Sequence, residues 1–197
     1  MRIVSLGEIL WDIVGDAEYL GGAPLNFAAA SRRLGNAVAL LTAVGAHERG
    51  VRALDAMKKL DLSTYFAQTI TDQPTGTALV STDNEGNAVF VIHRPAAYDY
   101  LAVDDLILTD LLKQNPDWLY FGTLALANDH LEKVALRMVN SLPKARCFYD
   151  VNLRAGHWTL SLVEGLSTLA DVVKLNRAEA EKLHSLTETA SFRLGTC

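Results

Sequence analysis

Cysteine is nearly absent: Cys147 and Cys197 are the 2 in 197 residues. Two thiols make no ligand cluster, and Cys147 lies in an apolar strand pattern that suits an ordinary buried thiol. An excess of positive charge is also missing, since 18 Lys and Arg stand against 23 Asp and Glu for a net charge of -5. That leaves no basic footprint for nucleic acid or an anionic membrane surface. No uninterrupted apolar segment is long enough to span a bilayer, and Met1-Arg2-Ile3-Val4 enters a strand without a charged-then-apolar leader. The expectation is a cytoplasmic protein with neither membrane nor nucleic-acid partners. His47, His93, His130, His157 and His184 are dispersed without zinc-ligand spacing. Gly45-Ala46-His47-Glu48-Arg49-Gly50 has the glycine spacing of a P-loop, but Val51-Arg52 stands where Lys-Ser/Thr is required. The dinucleotide fingerprint Gly-x-Gly-x-x-Gly is absent too, which weakens an oxidoreductase reading.

What is present suits a globular domain with a real core: half the residues are hydrophobic and 21% are charged. Arg2 to Ile9 and Ala37 to Val44 read as strands, with a glycine-led helix between them. Helices follow over Glu48 to Leu60, Asp104 to Gln114, from Asp129, near Leu160 to Leu169, and over Arg177 to His184. Strands alternate with them at Trp118 to Gly122, Arg146 to Val151 and Val172 to Leu175. Repeated βα units predict an α/β fold with a mostly parallel sheet flanked by helices, and ligands bound beyond the carboxyl ends of the strands. Within Thr75 to Arg94 the rhythm breaks. Two apolar runs flank Asp83-Asn84-Glu85-Gly86-Asn87, a hairpin signal that fits either a separate small sheet or an antiparallel edge of the main one.

Gly21-Gly22-Ala23-Pro24-Leu25-Asn26-Phe27-Ala28 is the richest segment. Its glycines permit close backbone approach or positive φ, and Pro24 suits a first helical turn. The helix Pro24 to Leu34 carries Phe27, Ala30 and Leu34 at helical spacing, with Ala28 and Ala29 small enough for close packing on a sheet. Asn26 then sits in the first turn, where its amide can donate to and accept from a hydroxyl, or cap the helix. Asp12, read as ending the first apolar strand, can accept from adjacent hydroxyls or initiate a turn. Asn176 and Glu179 share one face of a first helical turn. They can address a metal-phosphate cluster, or simply cap the helix and meet its dipole.

The run Gly21-Gly22-Ala23-Pro24-Leu25-Asn26-Phe27-Ala28, then Gly35 and Gly45, resembles the N-terminal signature of the ribokinase-like (PfkB-type) carbohydrate kinase family. Gly7-Glu8 with Asp12, Arg94-Pro95-Ala96-Ala97, Asp150-Val151-Asn152-Leu153-Arg154 and Lys174-Leu175-Asn176-Arg177-Ala178-Glu179 agree in order. Gly-Gly-Ala-Pro-Leu-Asn and Arg-Pro-Ala-Ala are nearest to fructokinases. The resemblance implies a kinase domain over 1–184, a non-matching tail over 185–197, and a small β lid with strands within about 12–22 and 75–94. It implies ATP and Mg2+ as cofactors, a small sugar as partner, and a homodimer through the lid. Asp12, Gly21, Gly22, Asn26, Arg94, Asp150, Asn152 and Arg154 are the implied substrate-binding residues. Asn176 and Glu179 are implied at the nucleotide phosphates, with Glu179 reaching the metal through water.

One departure stands out. The family's Gly-Ala-Gly-Asp motif supplies the base and an anion hole, and no Gly-x-Gly-Asp occurs in these 197 residues. A truncated kinase, inactive alone, is the expectation. A ketodeoxygluconate or nucleoside kinase of the same family, and a non-catalytic sugar-binding remnant, are the alternatives. Arginines like Arg94 contact substrate in ketodeoxygluconate kinases, so convergence of Arg94 and Arg154 on one site would favour an acidic sugar.

Overall fold

The computed structural model describes residues 1–82, 85, 86 and 88–194. At the middle of the main sheet lies β1 (Arg2–Leu6), with β4 (Ala37–Gly45) and β5 (Ala67–Ile70) on one side. On the other lie β8 (Trp118–Gly122), β9 (Arg146–Asp150) and β10 (Val172–Lys174). The order is β10-β9-β8-β1-β4-β5, and every pairing is parallel. Helices α1 (Ala23–Arg33) and α2 (Glu48–Lys59) cover one face through Leu25, Ala28, Ala53 and Met57. The other face packs against α3 (Asp105–Gln114), α5 (Asp129–Ser141) and α6 (Leu160–Thr168), while the short α4 (Thr123–Leu126) follows β8 directly. Cover on both faces is why the strands read as continuous apolar runs. Helix α5 buries Leu131, Val134, Ala135 and Met138, each of the larger side chains stabilising by roughly 1.5–3 kcal/mol.

A second sheet, order β3-β2-β6-β7, stands apart from the first. It contains β2 (Leu10–Val14), β3 (Ala17–Gly21), β6 (Gly76–Thr82) and β7 (Ala88–His93). The hairpin therefore belongs to a separate sheet and not to an edge of the main one. Of its expected turn Asp83 to Asn87, residues 83, 84 and 87 lie outside the described residues.

Several boundaries differ from the sequence expectation. The strand expected over Arg2 to Ile9 ends at Leu6, and Asp12 sits inside β2 of the second sheet. Both segments are apolar and only Gly7-Glu8-Ile9 separates them, so hydrophobicity alone does not mark the crossing between sheets. The turn is made at Gly7, where φ is 145° and a Cβ would sit 2.6 Å from Pro24 Cγ. On α1 the expected stripe is wrong: Leu34 is 81% exposed and Ala30 faces solvent, while Leu25, Ala28 and Ala29 are buried. Close approach of helix to sheet favours the small residues over the larger ones. The helix expected to stop at His184 continues as α7 (Arg177–Leu194), since no Gly or Pro intervenes before Gly195. The boundary expected at residue 184 thus falls inside a helix. Strand β5 and helix α4 were not anticipated. Among the described residues no helix is long and apolar enough to cross a membrane.

Candidate functional site

A cavity of about 500 Å³ opens between the second sheet, the N-terminus of α1 and the carboxyl ends of β8, β9 and β10. This is where a parallel α/β sheet leaves room for ligands. Asp12, Gly22, Asn26, Asp150, Asn152 and Arg154 all line it. Six residues separated by up to 142 positions in the chain are thus brought to one space.

Gly22 lines the cavity, whereas Gly21 does not and instead packs against Asp12. A Cβ on Gly21 would stand 2.4 Å from Asp12 Oδ2, and one on Gly22 would stand 2.4 Å from the Glu8 carbonyl oxygen. Gly22, with φ at 113°, is also the residue preceding α1 and has no side chain to cap it; Glu8 Oε1 accepts the Ala23 N–H at 3.2 Å instead. The Asn26 backbone N–H donates to the Gly22 carbonyl at 2.9 Å, closing the first turn and leaving the exposed Asn26 amide at the cavity. The capping alternative for Asn26 therefore does not hold. One position on, Phe27 stacks on Tyr120 with ring centroids 4.0 Å apart.

Across the cavity, Asp150 ends β9 with both oxygens engaged. Tyr120 Oη donates to Oδ2 at 2.9 Å and Lys174 Nζ donates to Oδ1 at 2.9 Å. Burial, with Asp150 alongside, pushes the Tyr120 phenol far above its usual range. The chain then turns through Asn152 at φ 35°, and the Arg154 guanidinium lies 4.4 Å from the Phe90 ring centroid on β7. The Arg154 charge acts on both Asp12 and Glu8. Burial raises the Asp12 carboxyl above its ordinary range and the Arg154 charge opposes this. Burial also raises Glu8, to about 7, against backbone hydrogen bonds and the charges of Arg154 and Arg94.

Arg94 is not brought to this cavity. Its guanidinium is bound to Asp99, and Nη1 donates to the Leu124 carbonyl at 2.7 Å. It lines a separate cavity of about 630 Å³ with Asn128, Asp129, Glu132, His157 and Trp158. That space is larger, but its guanidinium is already committed to protein partners. Arg94 thus lies apart from the other expected substrate-binding residues, and the buried Asp99 side chain takes up its charge.

Asn176 and Glu179 also lie outside the cavity. Asn176 Oδ1 accepts the Glu179 N–H at 2.9 Å while Glu179 Oε2 accepts the Asn176 N–H at 2.9 Å, a reciprocal cap on α7. The other oxygen, Glu179 Oε1, accepts the Leu153 N–H at 3.0 Å. The cap thereby ties α7 to the loop that carries Asn152 and Arg154. Both Glu179 oxygens thus accept backbone N–H groups, and among the described residues no group of three acidic, histidine or cysteine side chains could hold a metal ion.

Glu8, Tyr120 and Lys174 are site residues that sequence reasoning did not single out. Glu8 and Lys174 had a signal: each is a charge at the end of an apolar strand run. Tyr120 had none, since it reads as one more apolar residue of β8.

The pfkB family of carbohydrate kinases matches residues 12–191. The chain belongs to that family. Among curated relatives, a fructokinase of Vibrio alginolyticus is 28% identical over 202 residues, which cover 96% of this chain and 64% of the relative. The fold of this pfkB chain is the ribokinase-like one expected. It superposes with a TM-score of 0.82 on a Xylella fastidiosa fructokinase solved with bound ATP, 24% identical, covering 98% of this chain and 64% of that one. A Vibrio cholerae fructokinase solved with fructose, ADP and calcium ion has a TM-score of 0.76 at 23% identity, covering 92% of this chain and 62% of that one. The chain thus spans a little under two thirds of the length of these relatives.

Proposed function

We propose that the chain is the acceptor-binding part of an ATP-dependent sugar kinase, with fructose as the acceptor and the second sheet as the lid over it. The observation that carries this reading is the 500 Å³ cavity where Asp12, Asn26, Asp150, Asn152 and Arg154 meet. Asp12 accepts hydrogen bonds from adjacent hydroxyls, the Asn26 amide both donates and accepts, and Arg154 donates. Phe27 and Tyr120 form an apolar wall against the ring carbons of the sugar. The sugar replaces water beneath the lid and is held in one orientation for transfer.

The charge balance supports a neutral acceptor over an acidic one. Lys174 is committed to Asp150, and Arg94 is committed to Asp99 elsewhere. The Arg154 charge is left to act on both Asp12 and Glu8. A sugar carboxylate would add a further negative charge to that group, which disfavours ketodeoxygluconate. ATP brings magnesium, which neutralises the charge of the transferring phosphate. Any contact of Glu179 with the ion runs through water. The role of the Asn176–Glu179 pair is to hold the Asn152–Arg154 loop beside the nucleotide's end of the sugar site. The family's catalytic base lies in a motif that these residues do not contain, so the isolated chain binds sugar without rapid turnover.

Titration calorimetry of the 197-residue chain with fructose, ketodeoxygluconate and a nucleoside, followed by a coupled ATP assay, tests the reading. Binding of fructose in preference to the others, with little turnover, is expected. Preference for ketodeoxygluconate would overturn the acceptor assignment, and turnover at ordinary kinase rates would overturn the claim about the base.

A further inference from the structure

The glycine spacing of Gly45-Ala46-His47-Glu48-Arg49-Gly50, which lacks the residues of a P-loop, has a different use in the fold. Gly45 ends β4 and Gly50 sits in the first turn of α2, where a Cβ would stand 1.8 Å from the Gly45 carbonyl oxygen. Helix α2 is therefore seated directly on the carboxyl end of β4, and Arg49 and Arg52 start from a fixed base. Both reach the second sheet. Arg49 donates to Glu18 Oε1 from Nε at 3.0 Å and from Nη2 at 2.6 Å, and Arg52 Nη1 donates to Glu18 Oε2 at 2.8 Å. Glu18 lies in the edge strand β3, so two guanidinium groups of α2 hold both oxygens of one carboxylate of the second sheet. Beside it, the Trp11 indole N–H donates to the Arg49 carbonyl at 3.0 Å, and the Arg52 guanidinium lies 4.4 Å from the Trp11 ring centroid. Trp11 is buried in one cluster with Ala53 and Met57 of α2.

We infer that Glu18, Arg49 and Arg52 are positioning residues of the acceptor site: they fix the stance of the second sheet over the cavity, and with it the place of Asp12, from outside the cavity. The inference rests on the acceptor-site reading above. Side chains alternate along a strand, so Trp11 and Asp12 point to opposite faces of β2. Glu18 pairs with Ile13 and therefore shares the Trp11 face. One face of the sheet is thus fastened to α2, while the other presents Asp12, one residue along, to the cavity. The far edge of the sheet is held as well, because Arg94 follows β7 and is bound by Asp99 and the Leu124 carbonyl. That leaves the β3 edge to be set by ion pairs that solvent reaches, the Arg49 and Arg52 side chains being 46% and 42% exposed. Without these pairs the sheet samples stances in which Asp12 stands away from the other cavity residues. The apparent affinity for the acceptor then falls in proportion to the competent fraction that is lost.

Calorimetry with D-fructose on the wild-type chain, on Glu18→Gln and on the exchange Glu18→Lys with Arg49→Glu tests this. Gln keeps the shape of the side chain and removes its charge. Glu18→Gln should bind fructose about three- to tenfold more weakly, with unchanged circular dichroism. The exchange should recover most of the loss, because it restores an ion pair in the opposite sense. Raising NaCl from about 0.05 to 1 M should weaken wild-type binding toward that of Glu18→Gln and leave the variant nearly unaffected. Equal affinity in Glu18→Gln and wild type, or an exchange no better than Glu18→Gln, overturns the inference while leaving the acceptor site intact. Tighter binding by Glu18→Gln overturns it too, since the contact would then hold the sheet away from the sugar. If fructose fails to bind wild type, the acceptor-site reading and this inference fall together. If Glu18→Gln does not fold, the salt series on wild type decides: a fall of about threefold or more supports the inference, and an unchanged affinity overturns it.

Discussion

Asp12 illustrates how one residue can line the expected cavity from an element other than the one expected. Its sequence context pointed to a hydroxyl-binding carboxylate, yet it lies within β2 and not at the end of the first strand. What matters is that β2 presents it opposite Asn152 and Arg154, with Gly21 packed against its carboxylate. Its carboxyl is raised by burial, so the ionised form is less favourable in the folded chain than in the unfolded one. Asp12→Asn removes that cost and should leave the thermal midpoint at pH 7 unchanged or slightly higher. The same change removes a charged acceptor from the sugar site and should weaken fructose binding by roughly tenfold to a hundredfold. A several-degree loss of thermal midpoint together with unchanged fructose affinity would give Asp12 a structural role instead.

Among the elements, the start of α1 and the start of α7 show opposite outcomes. At α1 the glycine pair does what its composition suggested: Gly22 adopts a positive φ and both glycines permit contacts that a Cβ would prevent. At α7 the same spacing, Asn176 to Glu179, served two readings, and the geometry found is the reciprocal cap. Spacing alone could not separate them, because a cap and a ligand pair both need two polar groups on one face of a first turn. Glu179 is 8% exposed and accepts from Leu153 as well as Asn176. Glu179→Ala would leave two backbone N–H groups without their acceptor and should destabilise the chain by about 2–3 kcal/mol, read as a lower urea midpoint. An unchanged midpoint would show that the carboxylate serves something other than the cap.

On the scale of the whole molecule, the second sheet has two faces with different surroundings. One closes the cavity through Asp12, Ala78, Phe90 and Ile92. The other carries a cross-strand row in which Ile13 pairs with Leu79 and Leu79 with Val91, with Leu79 43% and Val91 52% exposed. We propose that this apolar row is where two copies of the chain meet in the homodimer that the family resemblance implies. Sedimentation should find a dimer of the wild-type chain, and Leu79→Lys should shift it to monomer without loss of secondary structure. A wild-type monomer at all accessible concentrations would remove the lid–lid dimer.

Sequence by itself determined the fold class of this protein and several of the residues that line its cavity. Apolar runs alternating with helical stripes specify a covered parallel sheet, and the glycine–asparagine segment specifies a close-approach turn into a helix, because both depend on local sterics and periodicity. Tertiary structure alone decided which charges serve the cavity. Arg94 and Arg154 look alike in sequence, but Asp99 neutralises one while the other remains over Phe90 at the site. Glu8 looked like a strand-end acid until folding buried it with one oxygen unpaired. Pairing and desolvation depend on neighbours distant in the chain, and no local pattern encodes them.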